Sequence, residues 1–154
     1  MIINRQRRVQ LDVKSLEEFL GRVQGALRLS NREVTVCLVS DATMARMNRA
    51  FRHKRGPTDV LSFPANGLSA RQGGEQAGKR EKGRRLARDT YLGDIAISPE
   101  TAQRNARRLA RTLPQELRVL ILHGMLHLAG HDHETDHGEM DRLERKLRRP
   151  LGLS

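Results

Sequence analysis

The feature that most constrains this chain is the run of residues 122–133, which holds four of its six histidines. His123 and His127 are four residues apart, so on a helix both imidazole rings project from one face. Gly130 stands where that helix would end, because glycine adopts the left-handed C-cap conformation without a Cβ clash. The chain can then turn back and bring His133 towards the first two rings. The spacing therefore predicts one divalent metal ion held by His123, His127 and His133.

Three imidazoles leave one position of a tetrahedral ion open, which is typical of catalytic rather than structural zinc sites. Zinc is favoured because imidazole suits it, although imidazole also suits nickel and copper. The alternative interpretation is that these histidines belong to the core or to a helix cap. We expect the metal site, because three histidines at this spacing around a glycine are hard to obtain by chance.

The same spacing occurs in the long zinc-peptidase signature H-E-x-x-H-x-x-G-x-x-H. In those peptidases a glutamate follows the first histidine and acts as the general base. Here Gly124 stands at that position and offers no side chain. The pattern therefore predicts the metal ligands of such a site without the peptidase base.

The formal net charge is +11, from 29 Lys and Arg against 18 Asp and Glu. This charge favours a polyanionic partner: RNA or DNA above all, or else an anionic membrane surface. The alternative interpretation is a basic surface that only keeps the protein soluble. Aromatic residues are only 3% of the chain, which argues against modules that stack bases on aromatic platforms. We therefore expect binding through phosphates and arginine planes.

The length of 154 residues predicts a single domain with its own core. Cys37 is the only cysteine, so no disulfide can form within the chain, as expected in a reducing cytosol. The first residues lack the apolar run of a signal peptide, and no apolar run reaches transmembrane length. We therefore expect a cytoplasmic protein.

The order of strand-like and helix-like segments predicts an α+β (mixed α/β) fold with a four-stranded sheet and about five helices. The histidine spacing puts the zinc site on a helix and the following turn. Strands are expected at residues 2–11, 33–40, 60–63 and 91–98. Helices are expected to begin near Ser15, Asp41, Pro99, Pro114 and after Asp136. Asp41 is expected to cap the second helix and Ser98 the third, and Met140, Leu143 and Leu147 are expected to face inward on the last.

The segment of residues 65–90 differs from the rest in composition. It is rich in Gly, Arg and Lys and almost lacks large apolar residues, so it cannot bury enough apolar surface to order itself. We interpret it as a basic mobile loop within one domain of residues 1–154, because strand-like sequence resumes at Tyr91. Residues 52–56 form a shorter basic loop, which either contacts phosphate or is simply solvated.

Three segments, in this order along the chain, resemble motifs of the YbeY family of bacterial rRNA maturation factors. Arg52 followed by residues 57–64, Pro-Thr-Asp-Val-Leu-Ser-Phe-Pro, resembles the central motif of the family. Residues 92–98, Leu-Gly-Asp-Ile-Ala-Ile-Ser, resemble its next strand, and residues 123–133 resemble its metal motif. The resemblance implies a mixed sheet of four strands with helices, metal ligands at His123, His127 and His133, and a functionally important arginine at Arg52. Because imidazole suits zinc, we expect one Zn²⁺ per chain.

The resemblance also implies an activity: metal-dependent, single-strand-specific endoribonuclease action in 16S rRNA 3′-end maturation and ribosome quality control. The implied partners are single-stranded RNA, 16S rRNA and the small ribosomal subunit or its associated proteins. One alternative is a zinc metallopeptidase-like hydrolase, opposed by Gly124 and by the positive charge. Another is a non-catalytic zinc protein that binds rRNA or the ribosome, opposed by the open coordination position.

No glutamate follows His123, so the general base is water activated by the metal, another side chain, or the 2′-hydroxyl of RNA. His131, Asp132 and His137 are near enough in sequence to help, and each has the alternative interpretation of an ordinary polar surface residue. Asp94 is a candidate to hydrogen-bond a ligating histidine, although a structural role on its strand is the simpler interpretation.

Overall fold

The structure, a computed structural model, describes residues 1–56, 58–65, 90–131 and 138–153. Within these residues the chain forms a single α+β domain of four strands and five helices, as the sequence predicts. Most of the basic segment lies outside the described residues, at 66–89. The elements are β1 (Ile2–Asn4), α1 (Val13–Ala26), β2 (Glu33–Leu38), α2 (Asp41–Arg52), β3 (Val60–Pro64), β4 (Tyr91–Ile97), α3 (Pro99–Arg108), α4 (Leu113–Leu128) and α5 (Glu139–Arg148).

The four strands form one mixed sheet in the order β1-β2-β4-β3. Strands β1, β2 and β4 run parallel, whereas β3 pairs antiparallel with β4 at the edge of the sheet. The predicted four-stranded mixed sheet is therefore confirmed. No helix in the described residues is long and apolar enough to cross a membrane.

Side chains of opposite faces of the sheet enter two separate cores, because successive residues of a strand point to opposite sides. Helices α1 and α4 cover one face, where Val36 and Ile95 are fully buried. Helix α2 covers part of the other face, where Met44 packs with Leu61 and Ala96. Burying a large apolar side chain contributes about 1.5–3 kcal/mol, so both faces stabilise the sheet. The edge strand β3 consequently has α4 on one face and α2 on the other.

Strand β4 carries a bulge where it meets β2. Glu33 pairs with Tyr91 but Val34 pairs with Gly93, which leaves Leu92 as the additional residue. Gly93 has φ of +149°, and a Cβ there would lie 2.8 Å from Leu128 of α4 and against the carbonyl oxygen of Phe63. Only glycine fits this close approach of β4, β3 and α4.

The first predicted strand is much shorter in the structure. The strand was expected at residues 2–11 but ends at Asn4. The buried side chain of Gln6 then donates to the side chain of Asn4 and to the carbonyl of Val9, and accepts from the amide of Val9. These contacts satisfy polar groups in a turn, so no further strand pairing forms there.

Helix α1 begins at Val13, two residues before the expected start, and α2 begins at Asp41 as expected but has a different cap. Asp12, rather than Ser15, caps α1 by accepting the amide of Ser15 at 3.1 Å. Ser40, rather than Asp41, caps α2. The predicted cap Ser98, with Pro99 in the first turn of α3, is confirmed.

Asp41 joins the beginnings of α2 and α3. Its carboxylate accepts hydrogen bonds from Ser98 Oγ at 2.5 Å, Thr101 Oγ1 at 2.6 Å and Arg104 Nη2 at 2.8 Å. Partial burial opposes ionisation, but the three hydrogen bonds outweigh it and hold the pKa of Asp41 below its ordinary value. The ionised carboxylate therefore stabilises the contact between the two helices.

Replacing this carboxylate should cost stability in a pH-dependent way. The pKa of Asp41 is lower in the folded state than in the unfolded state, so its ionisation adds to the free energy of unfolding. This stabilisation is fully present above the unfolded pKa of about 3.9 and is lost as the pH falls through the folded pKa. We expect Asp41→Asn to lower the melting temperature by a few degrees at pH 7, and the difference to shrink below about pH 4. Thermal unfolding across this pH range measures the effect, with Glu18→Gln on the exposed face of α1 as the control. A pH-independent difference would contradict the role of the ionised carboxylate.

Candidate functional site

Helix α4 brings the imidazoles of His123 and His127 into contact. The two Nε2 atoms lie 3.1 Å apart, and the half-buried rings meet at 71° with their centroids 4.7 Å apart. The helix reaches this point because Thr112 and Gln115 form a capping box at its start and eight of its apolar or small residues are buried. The predicted helical pairing of the two rings is confirmed.

The distance between the two Nε2 atoms suits two ligands of one ion. Nitrogen ligands about 2.0–2.1 Å from a tetrahedral zinc ion lie roughly 3.3–3.4 Å from each other. The same distance allows a hydrogen bond from one ring to the other, in a direction that depends on the tautomers. The described residues bring no third His, Cys, Asp or Glu to this point, and the predicted third ligand, His133, lies outside them. Asp132 and His137 lie outside them as well.

Glu144 of α5 stands behind the first ring. Its Oε1 is 3.8 Å from His123 Nδ1, which is ion-pair range rather than hydrogen-bond length, and its side chain is only 11% exposed. Arg148 of the same helix is 3.9 Å from that oxygen. A carboxylate on the Nδ1 side is the usual companion of a ligating histidine, because it favours the tautomer whose Nε2 is free for the metal.

Sequence reasoning missed Glu144, although one signal was present. Met140, Leu143 and Leu147 were predicted to face inward on the last helix, and Glu144 lies on the same stripe, one turn after Met140. A carboxylate on an apolar stripe needs a polar partner, because an unpaired buried charge is costly. In the sequence, the histidine motif is a candidate for the polar partner that Glu144 needs.

Gly124 packs against the sheet and does not face the two rings. A Cβ at this position would lie 2.9 Å from Ile95 Cγ2, and Ser62 Oγ donates to the Gly124 carbonyl at 3.4 Å. Glycine therefore allows α4 to lie close against β4 and β3. A glutamate here would enter the core, so the position cannot supply a general base in this packing.

Arg52 is the last residue of α2, and its side chain is exposed. The preceding residue, Phe51, contacts Phe63 of β3 with ring centroids 5.1 Å apart at 70°. On the same strand Ser62, the neighbour of Phe63, contacts Gly124 of α4. The end of α2 that carries Arg52 therefore lies on one face of edge strand β3. The end of α4 that carries the histidine pair lies on the other face of the same strand.

Asp94 does not act behind a histidine in the described residues. It points to the sheet face opposite Ile95 and α4, and it accepts a hydrogen bond from the Tyr91 hydroxyl. Burial raises the pKa of Tyr91, and the hydrogen bond to Asp94 adds to the shift. Burial also raises the pKa of the Cys37 thiol, with Asp94 adding, so Cys37 stays protonated and packs as a small hydrophobe.

His131 follows the helix directly. Its amide donates to the Leu126 carbonyl at 3.0 Å, its side chain is half-buried, and Gly130 before it has φ of +101°. The predicted left-handed glycine at the end of the helix is therefore confirmed. His131 also lines an open cleft of about 630 Å³ between the ends of α1 and α4.

Comparison with known proteins identifies the family to which this chain is similar. The family model described as Endoribonuclease YbeY matches residues 1–152. A relative from Koribacter versatilis named Endoribonuclease YbeY is 41% identical over 153 residues, which cover 99% of this chain and 86% of the relative. One of the same name from Aquifex aeolicus is 37% identical over 143 residues, covering 93% and 82%.

A solved structure agrees with the fold. The solution structure of a protein from Thermotoga maritima superposes with a TM-score of 0.60 at 28% identity, covering 98% of this chain and 89% of that protein. The family is generally metal-dependent, which accords with the facing Nε2 atoms of His123 and His127. The fold, the paired imidazoles and the full-length match together show that the chain belongs to the endoribonuclease YbeY family and is a hydrolase whose substrate is RNA.

Proposed function

We propose that this protein is a single-strand-specific, metal-dependent endoribonuclease of the cytoplasm that acts in 16S rRNA 3′-end maturation and ribosome quality control. Its partners would be 16S rRNA and the small ribosomal subunit or associated proteins. The observation that carries the proposal is the 3.1 Å approach of the His123 and His127 Nε2 atoms in a chain that belongs to an endoribonuclease family.

His123, His127 and His133 would hold one divalent ion, with zinc favoured by the imidazole ligands. When bound, such an ion supplies Lewis acidity at a phosphoryl oxygen and lowers the pKa of a water molecule. Glu144, whose Oε1 is 3.8 Å from Nδ1 of His123, would favour the ring orientation in which Nε2 is the ligand atom. The pairing of a ring with a carboxylate supports the assignment of His123.

Arg52 would act on the phosphate. Its guanidinium is exposed at the end of α2, and α2 shares the edge strand β3 with the histidine helix. A guanidinium donates two parallel hydrogen bonds to phosphate oxygens and keeps its charge at any physiological pH. Arg52 would therefore stabilise the negative charge that grows on the equatorial oxygens during cleavage.

The basic segment, residues 65–90, would add phosphate affinity that does not depend on sequence. Its excess of Arg and Lys suits the charge term that dominates non-specific nucleic-acid binding. We propose that it belongs to the single domain of residues 1–154 as a mobile loop and not to a second domain.

The test compares metal-loaded protein with His123→Ala prepared in the same way. The substrates are a single-stranded RNA, its duplex and an unstructured peptide, each with and without chelator. We expect the wild-type protein to cleave only the single-stranded RNA, and His123→Ala and the chelated protein to lose that cleavage. Product ends report the nucleophile, because attack by the 2′-hydroxyl leaves a 2′,3′-cyclic phosphate and single-step attack by water leaves none.

Other outcomes would favour the alternatives. Equal RNA cleavage by both preparations would assign the activity to a contaminant and leave a non-catalytic rRNA-binding role as the better interpretation. Cleavage of the peptide alone would favour a peptidase. Because Gly124 packs on Ile95, that outcome would require a base from another position.

A further inference from the structure

We propose that the exposed ring of Phe51 is a stacking site for one unpaired nucleobase of the RNA substrate, adjacent to the phosphate that Arg52 contacts. The inference rests on the proposed function and deepens it, since it names how a single strand is held at the same site. It also revises the expectation, drawn from the 3% aromatic content, that RNA is bound through phosphates and arginine planes instead of aromatic rings.

The first observation is exposure. Phe51 is 56% exposed, and among the described residues Met1 and Leu109 are the only other large hydrophobic residues that face solvent to a similar extent. An exposed aromatic ring is costly to hydrate and is a common feature of surfaces that bind single strands, because every base has a face that can stack.

The second observation is support from behind. The Phe51 ring meets Phe63 in an edge-to-face contact with centroids 5.1 Å apart, and Phe63 packs against the core that contains Met44 and Leu61. This contact restricts the rotamers of Phe51 while much of its ring stays accessible. A ring that is already held loses little conformational entropy when a base stacks on it.

The third observation is charge. Residues 42–58 contain five Lys or Arg and no Asp or Glu, so the surface around Phe51 is complementary to a phosphate backbone and unlike a docking site for an apolar protein partner. All five cationic side chains are exposed: Arg46, Arg49, Arg52, Lys54 and Arg55.

The fourth observation is position. Phe51 directly precedes Arg52, and its support, Phe63, directly follows Ser62, which contacts Gly124 beside His123. Phe51 and the histidine helix therefore lie on opposite faces of the same edge strand, and the stacked base would belong to a nucleotide that neighbours the phosphate held by Arg52. Stacking requires a base that is unpaired and splayed out, which gives a structural reason for preferring single strands over duplexes.

The chain contains no Trp, which makes a direct test possible. Phe51→Trp would carry the only indole, and we expect its fluorescence to be quenched by a single-stranded oligoribonucleotide. A duplex of the same sequence, and a strand made abasic throughout, should quench little. Thermal unfolding of the variant confirms the fold. Equal quenching by the abasic strand would mean that only phosphate is bound and would overturn the proposal.

Affinity measurements separate stacking from charge. We expect Phe51→Ala to weaken single-strand binding by about 5–150-fold, with an unchanged dependence on salt, and Phe51→Tyr to bind like the wild type. Arg49→Ala should instead reduce the slope of log affinity against log salt by about 0.7. Leu109→Ala is the matched control, because Leu109 is 48% exposed and follows Arg107 and Arg108 but has no aromatic face.

The outcomes distinguish this inference from the proposed function. Wild-type protein that cleaves RNA, with Phe51→Ala binding as tightly, would overturn the stacking site and leave the proposed function standing. Wild-type protein that neither binds nor cleaves single-stranded RNA would overturn both. If Phe51→Ala fails to fold, Phe51→Leu keeps the apolar volume without the aromatic face, and its binding at wild-type affinity would overturn the proposal.

Discussion

His127→Ala is expected to lose its bound metal and its RNA cleavage together. The variant removes one of the two Nε2 atoms that face each other at 3.1 Å, which leaves at most two of the three proposed ligands. The metal affinity should fall by more than about 100-fold, since loss of an outer-shell partner alone typically costs 10–100-fold. Elemental analysis should show about one equivalent of zinc in the wild-type protein and almost none in the variant.

Companion variants locate the remaining contacts of the metal. Glu144→Gln should reduce the metal affinity by about 10–100-fold without abolishing it, because the side chain orients a ligand rather than binding the ion. His133→Ala should lose the metal and His131→Ala should keep it. The reverse result would move the third ligand to His131, and full metal retention in His127→Ala would reject the site.

Arg52→Ala is expected to cut RNA cleavage by about 10²-fold or more at saturating RNA, since loss of a charge-stabilising donor typically has an effect of that size. Its melting temperature and metal content should barely change, because the side chain is exposed at the end of α2. Arg52→Lys should restore activity only in part, since an ammonium group cannot make the forked contact with phosphate. Single-turnover cleavage rates measure the effect on the chemical step.

Arg49→Ala is the matched control for this prediction, because Arg49 is an exposed arginine one turn earlier on the same helix. It should weaken RNA binding slightly and leave the rate at saturating RNA nearly unchanged. Equal losses in the two variants would mean that Arg52 contributes only general positive charge. A large fall in the melting temperature of Arg52→Ala would instead indicate a structural role.

The local features of this chain were readable from sequence. The i, i+4 spacing of His123 and His127 placed both rings on one helix face, and Ser98 with Pro99 marked the start of a helix. Local rules failed where a side chain competed with the backbone. Gln6 closed a turn where the strand was expected to continue to residue 11, and Ser40 capped the helix that Asp41 was expected to cap.

The histidine spacing, the excess of positive charge and the α+β pattern were determined by the sequence alone, because each depends on residue types and on short-range periodicity. Only the tertiary structure decided what lies next to them. It set Glu144 behind His123, turned Gly124 onto Ile95 and left Phe51 exposed at the edge strand. The physical reason is that periodicity shows which face of a helix is buried, whereas the element that covers that face comes from residues distant in sequence.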